Sequence, residues 1–366
     1  SDLAKPFSMN RLLQGDVGSG KTIVSVLATT IAVANDAQVA IMVPTEILAR
    51  QHFESFKKHS ELAHMTCALL VGGTRVKERR NILNALEKGQ INIIIGTHAL
   101  IQKDIIFKSL GFCIIDEQHR FGVSQRSELI SKGSNPHLLA MTATPIPRTL
   151  AITYHGDMDL SIIDEMPKNR IPVVTKIVHE PRMNKVYKFL TDEVSKERQC
   201  MVVYPLVKES EKSDLAAAVE MYSYLGEKVF PGLEVGLLHG KMKKEEKDEV
   251  MSNFKQNKIN ILISTTVIEV GIDIPNATVM LIEHAERFGL TQLHQLRGRV
   301  GRGSEKSYCI LVHRKVTENS KKRLKIMEST NDGFKISDED LKIRGPGEFF
   351  GIRQSGFLKY KIANML

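Results

Sequence analysis

Gly15-Asp16-Val17-Gly18-Ser19-Gly20-Lys21-Thr22 is the stretch from which the rest of the chain is best read. Its glycines let backbone N–H groups converge on phosphate oxygens without Cβ clashes, and a helix that follows aims its N-terminus at the same anion. Lys21 supplies positive charge to the terminal phosphates, and Thr22 supplies a hydroxyl to Mg²⁺. The spacing GxxxxGK[ST] carries this chemistry only between a strand and a helix. Here the run 11–14 reads as a strand and 22–34 as an apolar helix. The octapeptide predicts a nucleoside triphosphate site shaped by Gly15, Gly18 and Gly20.

Short apolar runs recur on both sides of that loop. The first half holds 39–43, 67–71, 91–95, 112–115 and 138–141; the second holds 173–178, 200–206, 235–238, 259–263, 279–282 and 308–312. Runs of four to seven residues, rich in Val and Ile and without polar alternation, suit strands buried on both faces of a parallel sheet. Their alternation with helical stretches predicts doubly wound α/β architecture, written twice. The apolar pattern lapses over 157–172, beside Pro167 and Pro172, which places a linker there. The expected division is a first lobe at 1–160, a second at 161–313, and a basic appendix at 314–366 with helical or hairpin structure. That appendix has 12 Lys/Arg against 7 Asp/Glu, or +5. Few residues precede the first strand, so the chain reads as a piece of a longer one.

Composition narrows the function classes. With 51 Lys and Arg against 42 Asp and Glu, the net charge is +9, which points to a polyanionic partner. No apolar run is long enough to span a membrane, and the first residues carry no secretory h-region. Cys67, Cys113, Cys200 and Cys309 form no CxxC pair and sit mostly in apolar runs, reading as buried thiols of a cytoplasmic protein. The histidines show no metal spacing, so no structural metal is expected.

Two further stretches complete the chemistry. Phe112-Cys-Ile-Ile-Asp116-Glu117 delivers two carboxylates at the end of a strand, where α/β sheets place ligands. Asp116 is assigned to Mg²⁺ and Glu117 to the attacking water. Gln295-Leu-Arg297-Gly298-Arg299-Val-Gly301-Arg302 bunches arginines whose planar forks suit phosphate oxygens. Arg299 and Arg302 read as arginine fingers, and Arg297 as a basic loop residue touching nucleic acid.

These elements and those between them resemble superfamily 2 helicases over nearly the whole chain. Val43-Pro-Thr45-Glu-Ile-Leu-Ala-Arg50 is similar to motif Ia, Gly96-Thr97-His98 to motif Ib and Thr142-Ala-Thr144 to motif III. Leu238-His239-Gly240 resembles motif IVa, Ser264 through Thr266 and Gly271 to Asp273 motif V, and 295–302 motif VI. A narrower likeness to the RecG family of bacterial branched-DNA helicases lies in Asp116-Glu-Gln-His119-Arg-Phe-Gly, in 141–149, in 156–159, and in the tail from Asp340 through Arg344 and Gln354 to Gly356. Gln118 favours that family over transcription-repair coupling factors, which stand as the alternative.

The resemblance implies two RecA-like lobes hydrolysing ATP with Mg²⁺, with Gly271 and Asp273 also at the nucleotide. It further implies a monomeric motor tracking double-stranded and branched DNA in recombination and repair. The family's wedge domain and its adenine-reading glutamine are expected upstream of these residues. Phosphate contacts fall to Arg50, Thr97, His98, His239 and Thr266, while His119, Thr142, Thr144, Arg344 and Gln354 couple hydrolysis to movement. The chain has no Trp and 6% aromatic residues, which argues against a base-stacking single-strand platform. An ATP-gated DNA clamp without turnover is the competing reading. A clamp of that kind would have dispensed with Glu117 or the finger arginines, and all are present.

Overall fold

The computed structural model describes residues 2–144, 158–167, 170–205, 211–265 and 274–344. These fall into two compact units divided between 167 and 168. The first contains β1 (Asn10–Gly15), α1 (Lys21–Val33), β2 (Gln38–Met42), α2 (Glu46–Leu62), β3 (Cys67–Leu70) and α3 (Val76–Glu87). It continues through β4 (Ile93–Gly96), β5 (Leu110–Ile115), α4 (Val123–Ile130), β6 (His137–Thr142) and β7 (Asp159–Ile163). The second contains β8 (Val174–His179), α5 (Met183–Val194), β9 (Gln199–Val203), α6 (Glu211–Tyr224), β10 (Val235–Leu238) and α7 (Lys244–Lys255). It ends with β11 (Ile261–Ser264), β12 (Ala277–Ile282), α8 (Leu290–Arg297), β13 (Tyr308–His313), α9 (Glu318–Ser329) and α10 (Gly333–Arg344).

Both sheets are wholly parallel among the described strands. The first has the order β3-β4-β2-β5-β6-β1-β7 and the second β10-β11-β9-β12-β13-β8. Strand for strand, the second order repeats the first, except that β7 has no counterpart. Every predicted strand run has its strand, and burial on two faces explains why. In the first sheet Val39, Ile41, Ile93, Ile95, Phe112 and Ile114 enter one core, while Ala40, Met42, Ile94, Cys113 and Ile115 enter the other. Successive side chains point to opposite faces, so a strand covered on both sides must be apolar throughout. In the second unit Val186, Leu190 and Val194, spaced by one helical turn on α5, close one face of the sheet.

Polar residues at matching positions brace each sheet from within in the same way. The Gln38 Nε2 donates to the carbonyls of Leu86 (2.9 Å) and Ile91 (2.8 Å), and the Gln199 Nε2 donates to those of Phe254 and Ile259 (both 2.7 Å). Asn92 and Asn260 each accept from the backbone leading into the adjacent edge strand, Thr66 N at 2.9 Å and Glu234 N at 3.0 Å. The two units are copies at the level of individual side-chain hydrogen bonds.

Two expectations change. The division at 160/161 cuts through β7, which pairs with β1 from Arg11↔Asp159 to Gly15↔Ile163. As an edge strand it is only half-buried, so it lacks the continuous apolar run that marks its neighbours. The 314–366 segment is not a separate appendix as far as it is described: α9 packs on β8, and α10 on α8. Of the four thiols, Cys113, Cys200 and Cys309 are buried and Cys67 half-buried, all free.

Replacing Gln38 with Leu leaves the buried Leu86 and Ile91 carbonyls without that donor. The first unit should lose about 2 kcal/mol, read as a lower midpoint of its urea transition, with a matching loss from Gln199→Leu in the second.

Candidate functional site

The phosphate loop joins β1 to α1 at the carboxyl end of the first sheet. β6 lies beside β1 with Thr142 opposite Gln14, and β5 lies on its other side. The strand ends carrying Gly15, Asp116 and Thr142 therefore share one edge. The loop turns through a Ser19 N–H to Asp16 O bond of 3.1 Å. Gly18 and Gly20 have φ of 79° and 99°, the left-handed region that glycine adopts without steric cost. A Cβ on Gly15 would lie 2.5 Å from Ser19 Oγ. The Lys21 ammonium folds back on the loop, donating to the carbonyls of Gly15 (2.7 Å) and Asp16 (2.8 Å). Ser19 Oγ is buried and has no hydrogen-bond partner among the described residues.

Asp116 is fixed from three directions. Its N–H donates to Met42 O at 3.0 Å, carrying the β5–β2 ladder one step past the strand. Its Oδ1 accepts from Glu117 N (3.0 Å), and its Oδ2 accepts from His52 Nε2 on α2 (2.9 Å). Burial alone would raise this carboxyl. The hydrogen bond and charge of His52, with the Lys21 ammonium, outweigh it and hold the group below the usual carboxylate range. The ionised Asp116 carboxylate, together with the Thr22 hydroxyl of the phosphate loop, offers hard oxygen donors that fit Mg²⁺ on a triphosphate.

Glu117 takes a left-handed conformation with φ 50°, uncommon for a residue with a Cβ. Its Oε2 accepts from Ala143 N at 3.3 Å and lies 3.6 Å from His119 Nδ1. Burial, then the neighbouring Arg120, lowers the His119 imidazole to about 4, so it is neutral at pH 7. Its Nδ1 lies 3.5 Å from Thr144 Oγ1, and Thr144 N donates to Thr142 Oγ1 at 3.1 Å. Glu117, His119, Thr142 and Thr144 thus form one contiguous patch beside Asp116.

Of the residues assigned to DNA, Arg50 and His98 are exposed. Thr97 is buried, with its hydroxyl unpartnered among the described residues. His239 is half-buried, and its pKa is lowered by burial and then by Lys247. Arg344 ends α10. Thr266, Gly271, Asp273 and Gln354 lie outside the described residues.

The arginine cluster divides by role. Arg297 is 2% exposed, and is not the solvent-facing loop residue expected. Its Nη1 donates to Thr175 Oγ1 (3.2 Å), Met327 O (2.7 Å) and Thr330 O (2.8 Å). The guanidinium straps the C-terminal end of α9 to α8. Thr291 Oγ1 donates to Asp340 Oδ2 (3.3 Å), and Arg323 to Glu286 O (3.0 Å), adding two more ties. Arg299 is buried, and Arg302 Nε donates to Gly298 O at 3.4 Å.

Three features went unread in the sequence. His52 is one, since its partner lies 64 residues away. The second is a repeated turn: Arg120-Phe-Gly-Val-Ser-Gln125 and Arg287-Phe-Gly-Leu-Thr-Gln292 follow β5 and β12. Each begins with an acid whose N–H continues the ladder, Asp116 to Met42 O and Glu283 to Val203 O (2.9 Å). Each passes through a left-handed residue, Glu117 or His284 (φ 49°), and each ends with a glutamine Oε1 accepting from Gly122 N (3.1 Å) or Gly289 N (3.2 Å). The visible signal was R-F-G-x-[ST]-Q occurring twice. The third is Arg314, whose Nη1 donates to Glu283 Oε2 at 3.2 Å. Burial raises the Glu283 carboxyl in spite of that guanidinium, opposite in direction to Asp116.

Among the described residues no helix is long and apolar enough to cross a membrane, and no group of three metal-ligating side chains occurs.

Comparison with known proteins identifies relatives. Residues 4–152 match the DEAD/DEAH box helicase family, 181–304 the helicase conserved C-terminal domain, and 330–366 the C-terminal part of domain 3 of the ATP-dependent DNA helicase RecG. The chain is 51% identical to the ATP-dependent DNA helicase RecG of Synechocystis sp., covering 100% of this chain and 44% of that one. It is 52% identical to the RecG of Thermotoga maritima, covering 100% and 47%. The chain spans about half the length of the curated relatives it matches. A solved structure of RecG bound to a three-way DNA junction superposes with a TM-score of 0.80 at 50% identity, over 95% of this chain and 46% of that one. Yeast Dbp5 bound to RNA and ADP BeF3, at 19% identity and TM-score 0.65, shares the two-lobe fold.

Arg297→Ala should cost about 3 kcal/mol or more by leaving the Met327 and Thr330 carbonyls and their surroundings without the fork. Arg297→Lys should recover little of it, because an ammonium cannot span the same acceptors; thermal unfolding of the second unit reads both.

Proposed function

We propose that this chain, which belongs to the RecG family of ATP-dependent DNA helicases, is the ATP-hydrolysing motor of an enzyme that moves along double-stranded DNA and remodels branched DNA in recombination and repair. The observation that carries the reading is the meeting of Lys21, Asp116 and Glu117 at one sheet edge, with Asp116 held ionised by His52 and Lys21. Catalysis at such a site is positioning and electrostatics. Lys21 exchanges the loop carbonyls for phosphate oxygens. Thr22 and Asp116 would hold Mg²⁺, which neutralises charge on the transferring phosphoryl group when bound. Glu117, whose carboxylate is steadied by Ala143 N, orients the attacking water.

Arg299 and Arg302 are assigned as fingers from their place in the order of motifs. Arg50 and His98 supply exposed contacts for duplex phosphates; Thr97, His239 and Thr266 complete the set through backbone and side-chain polar groups. Gly271 and Asp273 belong with the nucleotide by the same motif order. The ties from α8 to α9 and α10 support Arg344 and Gln354 as the segment that converts hydrolysis into movement. The relatives reported are RecG proteins, which favours this reading over a coupling-factor motor. We place the enzyme in the cytoplasm as a monomer; its four free thiols suit a reducing compartment.

ATP turnover should rise when duplex DNA is added, and Lys21→Ala should abolish it. Arg302→Ala should lower DNA-stimulated turnover by roughly 10³-fold; a turnover indifferent to duplex overturns the motor reading. Arg344→Ala should keep most DNA-stimulated ATPase while losing strand displacement, and parallel loss of both removes the coupling role.

A further inference from the structure

We propose that His52 is a positioning residue of this motor: it sets the Asp116 carboxylate in the orientation Mg²⁺ requires and ties that carboxylate to helix α2. The inference rests on the nucleotide-site reading above and extends it to a residue outside the phosphate loop and the acidic strand end.

The geometry is specific. His52 Nε2 stands 2.9 Å from Asp116 Oδ2, with side-chain exposures of 7% and 13%. Oδ1 accepts from Glu117 N, so the two oxygens have different partners and the carboxylate plane is fixed. A carboxylate free to rotate would present its oxygens to a cation only part of the time. Second partners of metal-binding carboxylates restrict that freedom and commonly change metal affinity by about 10- to 100-fold.

The ring is held from behind. Phe56, one turn further along α2 and buried in the core, lies 6.3 Å from it between centroids, tilted by 45°. Its other nitrogen, Nδ1, is buried with no hydrogen-bond partner among the described residues. A leucine would fill this space without an unsatisfied nitrogen, so packing alone does not account for an imidazole here. The bond to Asp116 does.

The same helix faces outward two residues earlier. At 3.6 residues per turn, positions 50 and 52 project to nearly opposite sides: Arg50 is exposed and His52 buried. A displacement of α2 by a duplex phosphate at Arg50 moves the His52 ring as part of a rigid element. Asp116 is thereby oriented by the helix assigned to DNA as well as by its own strand.

Gln and Asn substitutions separate positioning from packing. The Gln side-chain amide reaches the place of the imidazole Nε2, whereas the shorter Asn amide falls near Nδ1. Binding of a fluorescent ADP analogue is titrated in EDTA and then against Mg²⁺, and ATPase is measured with and without duplex. His52→Asn and His52→Ala should bind the nucleotide as wild type does in EDTA, require roughly 10-fold more Mg²⁺ for the metal-dependent increase, and respond less to duplex. His52→Gln should stay near wild type. If His52→Ala fails to fold, the Gln/Asn contrast carries the test alone. Equal behaviour of Gln and Asn, or an unmoved Mg²⁺ midpoint in a folded His52→Asn, overturns the proposal. Lys21→Ala is the control: intact nucleotide binding there defeats the nucleotide-site reading, whereas its loss beside a silent His52→Asn defeats only the positioning role.

Discussion

Burial of each sheet on both faces is the constraint from which the rest of this molecule follows. Strands such as Gln38–Met42 and Ala277–Ile282 have every residue buried, so little polar chemistry fits along their length. It is pushed to the ends. At the carboxyl edge of the first sheet the chain leaves the apolar layers with Gly15, Asp116 and Thr142 side by side. Backbone ladders hold these positions: the Asp116 amide, bonded to Met42 O, still belongs to the sheet although its side chain belongs to the site.

Electrostatics then decides which end groups are useful. Asp116 and Glu283 occupy equivalent turns, yet burial is outweighed at the first and prevails at the second. The difference is not depth alone. Asp116 has a histidine within hydrogen-bond distance and a lysine nearby, both polarising it toward the charged form, whereas Glu283 shares a single arginine with Glu180. Two copies of one backbone turn therefore carry carboxyls with opposite tendencies. Neighbours from elsewhere in the sequence set this chemistry.

That is also where the sequence ceased to be legible. The strands could be read because a strand covered on two faces leaves an unbroken apolar run, and the phosphate loop because its glycines and lysine are local. Asp116 and Glu117 were legible as a strand end. β7 was not, since an edge position relaxes the demand for apolar residues. Arg297 could not be told from Arg299 and Arg302 by spacing; only the carbonyls that end α9 reveal its use. His52 lies just past the segment, ending at Arg50, that resembles a DNA-facing motif. Nothing local marks the one histidine of α2 that turns toward a carboxylate instead of water.

The doubled turn after β5 and β12 carries a lesson about reuse. A left-handed residue, a short 3₁₀ step and a glutamine closing on a glycine amide make a stiff elbow whose shape is indifferent to the charge at its start. In the first copy the elbow presents an acid to a cationic neighbourhood. In the second the acid is already engaged by a guanidinium, and no GxxxxGK[ST] stretch precedes it in that half of the sequence. What survives there is the joint without the electrode: a rigid lead into α8, the helix on which the arginines and the terminal helices hang. One backbone elbow thus serves two surroundings of opposite electrical character.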